Sequence, residues 1–100
     1  MRFLVIARPR DPTPVEQIGP LLAAFKAWRA QHRAAMEGFW FFAGGDGGCG
    51  IVNVPDEQAL HVMMSSYPYN NISHIEVRAL VDGDWAIGLW EEMLKSAGGN

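Results

Sequence analysis

His74 and Glu76 are the pair in this sequence best suited to moving a proton. Side chains two apart on an extended strand project from the same face. An imidazole beside a carboxylate is a workable acid/base couple where partial dehydration brings both pKa values toward neutrality. Followed by Arg78, the same pair also reads as an ion-pair row on a solvated or intersubunit face of an edge strand. His61 adjoins Leu60 in a helical segment. There it can hold a carboxylate or pass a proton, or stand as an ordinary, partly exposed helix residue. His32 lies between Arg29 and Arg33 and reads as part of a solvated basic patch. The three histidines have no ligand spacing such as HExxH, so no metal site is expected.

Arg8 and Arg10 follow a strand-like run, and a guanidinium there can anchor an anion or merely charge a strand end. The run Gly44 to Gly50 holds five glycines that can offer backbone amides to an anion. No helix and no lysine of a phosphate loop follow it, so it reads as a hairpin. Cys49, the lone cysteine, has no cation or helix terminus expected nearby and reads as structural. Trp28, Trp40, Phe39, Phe41, Phe42, Trp85 and Trp90 are many large rings for 100 residues. Because Phe39 to Phe42 are consecutive, their strand must bury aromatics on both faces, one of which can wall an apolar pocket. Met63, Met64 and Met93 suit core filling or an adaptable lining equally. Arg8 as anchor, with Trp40, Phe42, Met64 and Tyr67 as lining, forms the expected substrate-binding set beside the catalytic candidates His74, Glu76 and His61.

These residues need elements to position them. Arg2 to Ala7 reads as a strand apolar on both faces, hence central and covered on both sides. Thr13 is the expected N-cap of a first helix, with Pro14 its first residue and Glu16 its capping-box partner. Val15, Ile18, Leu22, Phe25 and Trp28 recur at helical spacing, the helix extends to Ala35, and Pro20 predicts a kink. Strands over Gly38–Ala43 and Cys49–Val54 flank the Gly44–Gly48 hairpin, where Asp46-Gly47 supplies positive φ. Asp56 caps a second helix whose buried stripe is Leu60, Met63, Met64 and Tyr67. Ile72 to Val81 is the fourth strand, and Asp84 caps a last helix from Trp85 to about Lys95. Gly98-Gly99-Asn100 is expected to fray. The order is βαββαβ plus a C-terminal helix, an α+β ferredoxin-like arrangement: a four-stranded antiparallel sheet with two helices on one face.

One hundred residues with 49% hydrophobic and 19% charged side chains make one domain, residues 1–100. So much apolar surface on so short a chain predicts burial between copies, a homodimer or larger homo-oligomer. The bare sheet face is the natural contact. A net charge of −3 gives no electrostatic footprint for nucleic acid or an anionic membrane. The apolar run in MRFLVIARPR is too short for a signal peptide, and no segment approaches a membrane span, so the cytoplasm is expected.

The stretch Val52-Asn53-Val54-Pro55-Asp56-Glu57-Gln58-Ala59-Leu60-His61 comes before Ser73-His74-Ile75-Glu76-Val77, with a Tyr/Pro turn between them. Together with Gly38 and Trp40, this pattern resembles the muconolactone delta-isomerase family over the middle of the chain. More loosely, the whole order is similar to the dimeric α/β barrel superfamily. The resemblance implies ferredoxin-like subunits paired sheet to sheet, and proton transfer between carbons of a lactone without metal or organic cofactor. The chain departs from the pattern in a shorter hairpin and in Ala27 and Arg29, which stand where acidic residues are associated with the isomerase's first helix.

Two classes of function follow. One is cofactor-free isomerisation of a small lactone, enol or aromatic-derived metabolite, or cofactor-free oxygenation on the same barrel. The other is a non-catalytic small-molecule-binding or accessory protein. RNA-recognition motifs share the βαββαβ order, but Gly47 to Val54 lacks the aromatic positions that stack bases, and RNA binding is rejected.

Overall fold

Alternation along the first strand dictates its place. Phe3 and Val5 point to one face and Leu4 and Ile6 to the other, so β1 (Arg2–Pro9) needs cover on both sides. The computed structural model describes residues 1–98. In it β1 is central to a four-stranded antiparallel sheet of order β2-β3-β1-β4. Here β2 is Met36–Phe41, β3 is Gly48–Asn53 and β4 is Ser73–Leu80. Helices α1 (Val15–Gln31) and α2 (Glu57–Ser65) connect the strands, and α3 (Gly83–Ala97) follows β4, completing an α+β ferredoxin-like fold.

The registers sort the side chains into two faces. Phe3, Val5 and Ala7 share the helix-covered face with Gly48, Gly50 and Val52, and with Phe39 and Phe41 opposite those glycines. The other face carries Leu4, Ile6, Arg8, Cys49, Ile51, Trp40, His74, Glu76 and Arg78. Trp40 lies back over Gly38, where an added Cβ would meet its indole at 2.8 Å and push the exposed ring aside.

The core is small: Phe3, Val5, Trp28, Val52, Leu60 and Met63. Trp28 carries it. Its indole N–H donates to the Met63 carbonyl at 3.1 Å, a buried bond joining α1 to α2. Phe25, Tyr67 and His32 pack around its ring. His32 is therefore half-buried with its Nε2 enclosed, unlike the solvated patch its arginine neighbours suggest.

Several local expectations are corrected. Thr13 does not cap α1: Pro14 is the N-cap, no side chain closes that end, and Pro20 lies within the helix. The helix stops at Gln31 because the chain turns there, with the Ala35 and Met36 amides donating to the His32 carbonyl. Asp82 rather than Asp84 caps α3, accepting from the Trp85 amide at 3.0 Å. In the hairpin Gly45 and Gly47 take positive φ and Asp46 does not. Asp56 caps α2 through the Ala59 amide, as its position predicts. Gly99 and Asn100 of the expected frayed tail lie outside the described residues.

Much apolar surface stays uncovered. Val15, Ile18 and Leu22, expected in the buried stripe of α1, are 82%, 50% and 48% exposed because no element of the chain lies beneath them. No residue of α3 is buried, although Trp85, Ile87, Leu89, Trp90, Met93 and Leu94 make it strongly amphipathic. The chain measures 66 × 28 × 19 Å with a radius of gyration of 17.8 Å. A compact chain of this length has a radius near 13 Å.

Replacing Trp28 by Phe keeps an aromatic ring but removes the indole donor to the Met63 carbonyl, which retains the Ser66 hydroxyl as a donor at 3.1 Å. The variant should lose at least about 1 kcal/mol of unfolding free energy, from the lost hydrogen bond and the space the indole vacates. That loss should appear as a lower urea midpoint at unchanged slope. An unchanged midpoint would remove Trp28 from its place at the centre of the fold.

Candidate functional site

Glycine makes the floor of the site. At Gly48 and Gly50 the helix-covered face of β3 has no side chains, and the backbone lies open between Val5 and Ala7 on one side and Phe39 and Phe41 on the other. Phe25 and Trp28 of α1 roof this space, and Tyr67 and Tyr69, from the turn after α2, wall it with Met64. The result is a cleft of about 360 Å³ between α1 and the sheet, open to solvent at one end. Its rings pack closely: Phe25–Phe39 at 5.8 Å and Phe25–Tyr67 at 6.2 Å meet edge to face, and Tyr67–Tyr69 at 5.7 Å are tilted. Such a box suits a flat ring, held by stacking and edge contacts.

Burial in this box pushes the Tyr67 phenol up to about 12, and the Tyr69 phenol rises for the same reason. Both are therefore neutral hydroxyls at physiological pH, able to donate a hydrogen bond to a ligand oxygen. Thr13 and Ser73 are the other polar side chains of the lining, and Cys49 borders it with its side chain on the other sheet face.

Of the residues expected at a site, Met64 and Tyr67 line this cleft, and Trp40 borders it with its side chain on the other sheet face. Arg8, Phe42, His61, His74 and Glu76 do not. Arg8 lies over the Phe42 ring at 5.6 Å and pairs across strands with His74. His74 is exposed and Glu76 half-buried, on the sheet face away from the helices. Glu76 is bonded to Arg78 at 2.8 Å, and that hydrogen bond, reinforced by the guanidinium charge, holds its carboxyl below the usual range. It is thus tuned to stay ionised. His61 is exposed on α2. Arg8, His74, Glu76 and Arg78 consequently form a polar group on the bare face, while His61 stands apart from it. Among the described residues no group of three His, Cys, Asp or Glu side chains is placed to hold a metal ion.

Sequence reasoning missed Phe25, Tyr69, Ser73 and the glycines of β3 as lining. Gly48 was hidden in a run that reads as a turn, and Gly50 at a position that reads as ordinary strand. Tyr69 was hidden in a segment that reads as a helix stop, although the chain's two tyrosines stand two apart there.

The family model described as "Domain of unknown function (DUF3303)" matches residues 1–94, and the chain belongs to that family. No curated protein matches the sequence. Among solved structures the chain is similar to muconolactone isomerase at 23% identity and TM-score 0.72, over 82% of this chain and 90% of that one. It is similar also to 5-chloro-2-hydroxyhydroquinone dehydrochlorinase (TftG) from Burkholderia phenoliruptrix AC1100 in complex with 2,5-dihydroxybenzoquinone. That match has 18% identity and TM-score 0.69, over 84% of this chain and 97% of that one. At these identities the likeness establishes the fold.

Tyr67 and Tyr69 are the only tyrosines, so an ultraviolet phenol titration reports on the cleft alone. Both transitions should lie above the ordinary value of 10.0, Tyr67's at about 12, and Tyr67→Phe should delete the upper one. Folding makes Tyr67 bind its proton more tightly. Its contribution to stability is therefore complete below pH 10 and lost as pH rises toward about 12. Denaturation of the wild type should show this alkaline loss, and Tyr67→Phe should flatten it. A transition at the ordinary value would mean that the cleft is open to water.

Proposed function

We propose that this DUF3303 chain is a small-molecule-binding protein of the dimeric α/β barrel type. Its aromatic cleft takes one flat, apolar ring compound per subunit. The observation that carries the reading is the glycine-floored, ring-walled cleft of about 360 Å³, a volume for which the core has no use of its own. The fold shared with muconolactone isomerase, and with a dehydrochlorinase solved with a quinone in place, supports a ring-shaped ligand. In this reading two copies close bare face to bare face over Leu4, Ile6, Ile51 and Trp40, and α3 adds its exposed stripe to contacts between copies. The assembly is cytoplasmic and binds neither nucleic acid nor membrane. Among the described residues no helix is long and apolar enough to cross a membrane.

A second reading, cofactor-free proton-transfer isomerisation of a lactone or enol, draws on the polar group of the bare face. Registers place Arg8 beside His74, and Ile6 beside Glu76, on the surface that a second copy would cover. There Arg8 can anchor a carboxylate beside the His74 imidazole as proton carrier, with the ionised Glu76 next to it, at the junction of two subunits. His61 remains a candidate from α2.

N-phenyl-1-naphthylamine, an uncharged dye that fluoresces in apolar surroundings, tests the cleft. It should bind the wild type at micromolar concentration and be lost in Ala7→Phe, which plants a ring in the cleft. Equal binding by a folded Ala7→Phe protein would defeat the reading. Sedimentation tests the assembly: a particle larger than the 11.1 kDa chain is expected, reduced in size by Ile6→Asp. For the second reading, His74→Gln and Glu76→Gln should abolish turnover of a lactone while leaving dye binding unchanged. Unaltered turnover would exclude the pair.

A further inference from the structure

Resting on the cleft reading, we infer that the ligand is an uncharged ring bearing a carbonyl or similar acceptor oxygen, and that a carboxylate is refused. The chemistry of the lining leads there. The side chains facing the cleft are apolar or carry a hydroxyl, those of Trp40 and Cys49 lying on the other sheet face; no Lys, Arg or His belongs to the lining. Two guanidiniums are engaged on aromatic rings, Arg29 over Phe39 of the wall at 4.3 Å and Arg8 over Phe42 at 5.6 Å. Neither belongs to the lining. An anion entering this box would shed water without meeting a cation, and desolvation of an unpaired charge is among the largest costs a binding site can impose.

The phenols supply the complementary preference. Tyr67 and Tyr69 stand side by side with ring centroids 5.7 Å apart, both in the wall and both able to donate. A ligand with no acceptor would leave a partly buried phenol without a partner, and a ligand carbonyl supplies one. The floor agrees. At Gly50 an added Cβ would stand 3.3 Å from the Gly38 carbonyl and 3.7 Å from the Phe39 Cβ, so bare backbone is the surface on which a ring lies flat. Tyr67 is thus the specificity-determining residue of the cleft: it selects an acceptor oxygen, and the uncharged lining selects against the anion.

Two probes that differ by one group test this on the intact chain. Coumarin is a flat, neutral lactone, and coumarin-3-carboxylate adds an anion to the same rings; each is titrated against the bound naphthylamine dye. Coumarin should displace the dye at least about tenfold more effectively than its carboxylate at neutral pH. Tyr67→Phe should weaken coumarin severalfold while leaving naphthalene, which has no acceptor, unchanged. Equal displacement by coumarin and its carboxylate would overturn the inference and leave the cleft reading intact, because the dye still binds. Equal loss of coumarin and naphthalene in Tyr67→Phe would also overturn it, since Tyr67 would then act only through packing. Failure of the dye itself to bind would remove both.

Discussion

Burial of the Trp28 indole is the interaction on which the remaining structure depends. The ring sits on the central strand against Phe3, Val5 and Val52, and its N–H reaches the last buried turn of α2 at the Met63 carbonyl. One side chain thereby fixes the spacing of two helices over one sheet. That spacing in turn leaves a gap above β3, where glycines stand instead of side chains, and the gap is the cleft. Core and site are thus two ends of one layer: dry and closed under Trp28, open and walled by rings beyond it.

The other half of the molecule shows the opposite condition. A sheet has two faces, and this chain supplies helices for one. Leu4 and Ile6 on the second face are only half-buried, and Trp40, the first turns of α1 and nearly all of α3 stand exposed. Apolar surface on this scale is characteristic of chains that associate. The polar group around Glu76 and Arg78 lies on the β4 side of that face, so greasy and charged strips run side by side across it.

How far the sequence speaks depends on how local the cause is. The element order and the centrality of β1 were legible because a strand apolar on both faces belongs inside a sheet rather than at its edge. The Asp56 cap was legible because capping is settled within four residues. The α3 cap was misread by two residues, since Asp82 and Asp84 are equally good acceptors and only the path of the backbone after Leu80 chooses between them. The buried stripe of α1 failed in its first half for a non-local reason: periodicity states which side is apolar, but not how far the sheet extends beneath it. The cleft was least legible of all. It is built from absences at Gly48, which reads as part of the turn, and at Gly50, which reads as an ordinary strand position. Its walls come from Phe25, Phe39 and Tyr67, which are far apart in the chain. The His74–Glu76 couple shares a face as spacing requires, yet Glu76 is held by Arg78, which is equally close along the strand.

The junction between β4 and α3 has a mechanical consequence. Only Val81 and Asp82 separate the strand from the helix, and Asp82 is fastened to the first turn through the Trp85 amide. A helix of 15 residues is about 22 Å long, so it behaves as a stiff lever clamped at one end. Rotating it by roughly 10° at the clamp would carry its tip about 4 Å, most of a helical turn. In an assembly that uses α3, two residues would therefore set the angle at which the next copy stands, and with it the curvature and closure of the particle.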